Sequence, residues 1–216
     1  MWLGGLGFGF WCGVVLGGVC FSVVTVILGW KSAGAGLGKM KAEKGNRLRS
    51  FCILIMLGAL GAVVSVPLGY AGSFLFAFGA FPLAVPQLMS GVHVFWLVLA
   101  SLLVPKTGSA AFTGGLKGLV EAAFFSHLGV FAIAISLLEG VVVDLVLRLG
   151  KRESRAAIYL SGGFSAASNL LILQLFFLSS APIGVVAVAY VAAFFSGLLF
   201  GSYMATRISG VLPLSF

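Results

Sequence analysis

The sequence predicts an all-α integral membrane protein, a six-helix bundle preceded by one additional N-terminal transmembrane helix, about seven spans in all. Three observations predict it. Of 216 residues, 61% are hydrophobic and 8% charged, with a mean hydropathy of +1.19, against roughly 25% charged in ordinary soluble domains. Uncharged runs long enough to cross a hydrocarbon core about 30 Å thick recur along the chain, whereas outer-membrane barrels read as short alternating strands. The 31 glycines, many in small-xxx-small spacing, let helices approach closely, and close packing with hydrogen bonding is what holds helices together in lipid.

The elements follow in order. Residues 3–30 form one span, and the basic loop after it, KSAGAGLGKMKAEKGNRLR (31–49), places Met1 outside by the positive-inside rule. Residues 51–70 return outward. The next stretch, AGSFLFAFGAFPLAVP (71–86), is apolar but interrupted by Gly72, Gly79, Pro82 and Pro86. Proline in a helix interior removes a hydrogen bond, so this stretch reads as a helix end plus a structured loop at the external face. Residues 87–104 run inward to PKTG, 109–125 outward to a short turn at 126–129, and 130–147 inward to the second basic cluster, RLGKRESR (148–155). Residues 156–178 lead out to SSAPIG, whose Pro182 ends the helix, and 185–206 return to a cytoplasmic tail carrying Arg207. Residues 1–50 are thus the additional helix with its basic loop, and 51–216 the six-helix membrane domain. The first 29 residues lack a positive n-region and a small-residue cleavage pattern, so they read as a span and not as a removed signal peptide.

The formal net charge of +8 raises the question of nucleic acid. Most of the charge sits in the two short loops flanking apolar runs, which is topology and some attraction to anionic lipid, with no nucleic-acid partner. AGAGLGKM (33–40) resembles a phosphate loop only superficially: Ala33 replaces the first glycine, Met40 the metal-binding Ser/Thr, and no soluble strand precedes it. Cys12, Cys20 and Cys52 have no Cys-x-x-Cys spacing and read as small hydrophobes. No serine has a matched His and acid, and HExxH is absent, so the chain reads as no enzyme, with neither cofactor nor metal.

The ionisable residues inside apolar runs carry the functional question, because a carboxylate at the bilayer centre costs roughly 2.5–3.5 kcal/mol on insertion scales. Asp144 precedes Arg148 by four and is expected to pair with it. Glu121 follows Lys117 by four, with Phe124 and Phe125 one turn on, and reads equally as a structural pair or a ligand contact. Glu139 differs: Ile135, Ser136, Val142 and Val143 around it carry no positive charge. Its partner is a proton, another helix or a ligand. Asn169, Ser165 and Gln174 add polar groups on the following helix, where simple interhelical hydrogen bonds also account for them. His93 and His127 read as lone polar residues, not metal ligands; His127, at the external turn, joins the substrate-facing set.

The reading that uses most of these features is a small-molecule site in the outer half of the bundle. Glu121 and Glu139 would be its polar anchors, Asn169 would assist, and Trp96, Phe124, Phe131 and Tyr190 would form its walls. A carboxylate beside aromatics holds an organic cation by adding cation–π attraction to the Coulomb term. The broken stretch 72–86 would be the lid. Two readings from other classes stand beside it, a self-sufficient ion- or proton-coupled carrier in which Glu139 titrates, and a structural membrane subunit without cargo.

From PKTGSAAFTGGLKGLVEAAFFSHLGV through ISLLEGVVVDLVLRLGKRESRAAIYLSGGFSAASN, the chain resembles the substrate-binding S components of energy-coupling-factor (ECF) vitamin transporters. The resemblance is to the YkoE-like branch linked to thiamine and its hydroxymethylpyrimidine precursor. It covers about residues 51–207. Lys106, Gly108, Ala110 and Glu121 meet one family pattern, and Ser136, Leu137, Leu138, Gly140 and Asp144 another. Thr107, Gly114 and Glu139 depart from it, standing where the family has proline, an acid and glutamine. The resemblance implies a multi-pass subunit of a prokaryotic cell membrane that binds a thiamine-like molecule. It further implies a coupling transmembrane subunit, two cytoplasmic ATPases and no chemistry in this chain. Small residues of the first core helix mediate the coupling contact in relatives, and Gly58 and Ala62 are the matching positions here, ordinary internal packing being the alternative. Nickel and cobalt relatives carry a histidine-bearing amino terminus, whereas this chain starts Met-Trp-Leu, which favours an organic cargo.

Overall fold

The structure is a computed structural model that describes residues 39–77, 84–123, 129–152, 154–176 and 182–211, with side chains from residue 47 onward except those of 66 and 71–86. The expected first span, 3–30, lies outside the described residues. The chain divides into two units, Met1–Arg49 and Ser50–Phe216, and the second contains the site.

All described elements are helical: α1 (Lys39–Ala77), α2 (Ala84–Leu103), α3 (Ser109–Ala123), α4 (Phe131–Leu149), α5 (Arg155–Phe176), α6 (Ile183–Ser196), a π-helical turn (Gly197–Tyr203) and α7 (Met204–Val211). The last three form one rod. The stretches Arg47–Tyr70, Arg155–Phe176 and Ile183–Val211 are long and apolar enough to cross a membrane. Helices α3 and α4 are not among them, and they are the ones that carry Lys117, Glu121, Glu139 and Asp144. The polar cargo of the sequence is concentrated on one helix pair.

Two expected loops are partly helix. Residues 39–49 of the first basic stretch begin α1, consistent with the helix propensity of their Lys, Met, Ala, Glu and Arg. At the other end α1 continues past Tyr70 to Ala77, through Pro67; proline is tolerated inside membrane helices where neighbours re-satisfy the freed carbonyl. Gly72 is therefore helical, and Pro86 falls in the first turn of α2, where a missing N–H costs nothing. Of the expected lid, 72–86, both ends are helix and residues 78–83 lie outside the described residues. Pro182 occupies the N-cap of α6 at φ −57°, and α5 is described as far as Phe176.

Helix α2 runs through the centre, touching α3, α4, α5, α6 and α7, and its Val94, Leu97, Val98 and Ala100 are wholly buried. Serine hydroxyls tie the helices together. Ser202 donates to the Ile158 carbonyl at 2.7 Å and accepts the Gly162 N–H at 3.2 Å, inserting itself into a backbone hydrogen bond of α5. A Cβ on Gly197 would collide with the Gly162 carbonyl oxygen, so glycine is what allows this approach. Ser196 makes the analogous bridge to α2, donating to the Leu88 carbonyl and accepting the Gly91 N–H at 3.1 Å.

Candidate functional site

The site is built on the α3–α4 contact. Thr113, Lys117 and Glu121 are spaced by four and so share one face of α3, and all three are buried. That face meets Ser136 and Glu139 of α4 because glycines remove the side chains that would hold the helices apart. A Cβ on Gly114 would overlap the Ser136 carbonyl oxygen, one on Gly140 the Ala110 carbonyl oxygen, and one on Gly118 would lie 2.6 Å from the Ile133 Cα. Rising numbers on α3 meet falling numbers on α4, so the helices are antiparallel.

Four helices contribute to the first half of the cluster. The Lys117 ammonium lies 2.7 Å from Glu121 Oε1 and donates to Ser136 Oγ at 3.2 Å, and Ser136 Oγ in turn donates to Glu121 Oε2 at 3.3 Å. His93 of α2 brings its Nδ1 to 4.0 Å from Glu121 Oε1, and buried Ser65 of α1 stands beside the same carboxylate. Lys117 is only 1% exposed. The pair expected from spacing is therefore real, and deeper than spacing alone conveys.

Glu139 forms the second half. It lies one turn below Ser136, is 1% exposed, and neither carboxylate oxygen has a hydrogen-bond partner. Its own backbone carbonyl accepts from Ser165 Oγ at 2.9 Å, which holds α5 against α4. That contact brings Asn169, one turn further along α5, within reach of a side-chain hydrogen bond to Glu139, although the geometry leaves both carboxylate oxygens and the Asn169 Oδ1 without a well-formed one. Lys117 and Glu121 also act on Glu139 through space. Trp96, one turn from His93 on α2, packs on Gly61 of α1 and has a buried Nε1 without a hydrogen-bond partner. Thr113 Oγ1 and Gln87 Oε1 are buried in the same condition. A membrane bundle normally satisfies such groups within itself. Here the acceptor oxygens of Glu139, Asn169 and Gln87 are left over together with the Trp96 N–H donor and the Thr113 hydroxyl, and a molecule bearing both N–H donors and an acceptor would complete them.

The other expected site residues are distributed differently. Phe131, two turns from Glu139, stacks on Phe176 with centroids 4.9 Å apart. Tyr190 donates to Gln174 Oε1 at 3.0 Å and packs against the Leu170, Ala189 and Ala193 cluster. Phe124 and His127 lie outside the described residues. His93 is no lone histidine, since it adjoins Glu121. Gly58 faces Leu116 and the Thr113 carbonyl of α3, and Ala62 is wholly buried, so the structure places both on the inward side of α1.

Asp144 does not pair with Arg148. Its Oδ1 takes Arg152 Nη2 at 3.1 Å, and its Oδ2 accepts the Ala111 N–H at 2.9 Å. It thereby caps the first turn of α3 from a different helix, where a negative charge also suits the helix dipole. The residue is a clamp at the end of the bundle away from the Glu121–Glu139 cluster. Lys117, Ser136, Ser65 and His93 were not legible as site residues. The available signal was a lysine embedded in GGLKG, distant from either basic loop.

Comparison with known proteins places this geometry. A solved structure described as the crystal structure of an S-component of ECF transporter superposes with a TM-score of 0.70 at 18% sequence identity, covering 76% of this chain and 84% of that one. The fold is thus that of an S component. No curated protein matches in sequence. Residues 49–168, which include α2, α3, α4 and most of α5, match the family described as ABC-type cobalt transport system, permease component. The chain therefore belongs to that family of membrane transport components.

Proposed function

We propose that this chain is the substrate-binding membrane subunit of an ECF-type importer, that its cargo site is the cluster around Glu139, and that the cargo is thiamine or a thiamine precursor. The single observation that carries the site is Glu139, fully buried in a membrane bundle with both oxygens lacking hydrogen-bond partners, next to an unsatisfied Asn169 carbonyl. A carboxyl kept there without a partner costs stability, and cargo recognition is the benefit that offsets it. The aminopyrimidine of thiamine supplies N–H donors for the surplus oxygens, and its thiazolium supplies positive charge. The resemblance to the YkoE-like branch supports the same cargo.

In this reading the chain performs no chemistry. It works with a coupling transmembrane subunit and two cytoplasmic ATPases, as S components do, and residues 1–50 add a helix beyond the six-helix core. Phe124 and His127 remain proposed contacts. Gly58 and Ala62 would serve the coupling subunit only through a change in how α1 packs on α3.

A second cargo follows from the family's description, which names cobalt. Among the described residues no three His, Cys, Asp or Glu side chains converge, and the leftover groups pair acceptor oxygens of Glu139 and Asn169 with the Trp96 N–H donor, a mixture suited to an organic molecule. Native mass spectrometry of the purified chain tests the proposal. A co-purified thiamine-type mass that disappears in Glu139→Gln supports it; a cobalt adduct, or an organic mass indifferent to Glu139→Gln, overturns it.

A further inference from the structure

A lysine with 1% exposure in the interior of a membrane bundle is as unusual as the carboxylates around it. Lys117 touches Glu121 and Ser136 and acts through space on Glu139 one turn away. Arg152 answers Asp144 in the clamp. Lys117 therefore sets one positive charge against two carboxyls, Glu121 in direct contact and Glu139 one turn away. Were Lys117 absent, two carboxyls would face one buried volume, a composition that attracts a dication or a proton as readily as an organic monocation.

We infer that Lys117 is the specificity-determining residue of the site: by setting one positive charge against the two carboxyls Glu121 and Glu139 it leaves room for one more, so the site accepts one positive charge and rejects a divalent metal. The inference rests on the proposal that Glu139 faces the cargo. It goes further by assigning charge selection to a side chain that need not touch the cargo. Lys117 acts as an internal counter-ion, and its pairing partner Glu121 is a positioning group rather than the anchor. The two residues are exchangeable together but not singly.

The test uses the purified full-length chain, washed free of bound molecules, with three probes: thiamine as an organic monocation, its neutral hydroxymethyl-aminopyrimidine, and cobalt(II) chloride. Binding is measured by calorimetry for the natural chain, Lys117→Met, Lys117→Met/Glu121→Gln and Glu139→Gln. The natural chain is expected to prefer thiamine over the neutral pyrimidine by at least tenfold and to ignore cobalt. Lys117→Met should lose that order and gain at least tenfold for cobalt, and the double variant, which restores the charge balance, should return to the natural order. If Lys117→Met keeps the natural order while Glu139→Gln abolishes it, the cargo site stands and the role of Lys117 falls. If Lys117→Met does not fold, the double variant decides: loss of the natural order there overturns the inference. Binding unaffected by Glu139→Gln, or absent for every probe, sinks the site itself and the inference with it.

Discussion

Replacing Glu139 by leucine separates a residue kept for cargo from one kept for the fold. In the empty protein its carboxyl is 1% exposed and neither oxygen has a hydrogen-bond partner. An unsatisfied buried polar group costs about 1–3 kcal/mol, and leucine of similar volume removes that cost without opening a large cavity. The Ser165 bond to this residue survives, because it uses the Glu139 backbone carbonyl. For a chain of this size 1 kcal/mol shifts the melting temperature by roughly 2–4 °C, so Glu139→Leu should raise it by roughly 2–12 °C while eliminating cargo binding. The assay is thermal unfolding of ligand-free protein, natural and variant, in the same detergent, paired with binding measurements. A melting temperature lowered by several degrees would refute the reasoning, because it would mean that the carboxyl holds helices together.

The Asp144 clamp makes a graded prediction: Asp144→Asn loses the charge on both its contacts and should cost about 1–2 kcal/mol, while Arg152→Ala keeps the Ala111 cap and should cost less than half of that. Denaturation of the two variants side by side checks it, and an Arg152→Ala loss equal to that of Asp144→Asn would show the cap to be idle. Gly114→Ala pushes a methyl into the Ser136 backbone and should cost about 1–3 kcal/mol. Gly184→Ala, with nothing within 4 Å of the added atom, should leave the melting temperature unchanged, and a similar loss in both would argue against glycine-dependent packing of α3 on α4.

The sequence by itself determined the membrane class, the approximate helix order and the isolation of Glu139. These depend on quantities that run along the chain, namely length of apolar runs, placement of basic loops and spacing on a single helix. The Lys117–Glu121 pair was legible for the same reason, because helix geometry fixes which side chains meet at i and i+4. The same rule failed for Asp144. Arg148 stood at the favoured spacing, but Lys151 at φ 61° belongs to a turn that brings Arg152 back onto the end of α4, and the Ala111 N–H arrives from α3. Only the tertiary structure decided that Lys117 is fully buried, that His93 and Ser65 adjoin Glu121, that Gly58 and Ala62 face inward, and that Glu139 keeps two oxygens without hydrogen-bond partners. Each depends on how one helix is rotated against another, and between α3 and α4 that rotation is set by backbone contacts at Gly114, Gly118 and Gly140. Spacing along one helix carries no information about the side of its neighbour that it will meet.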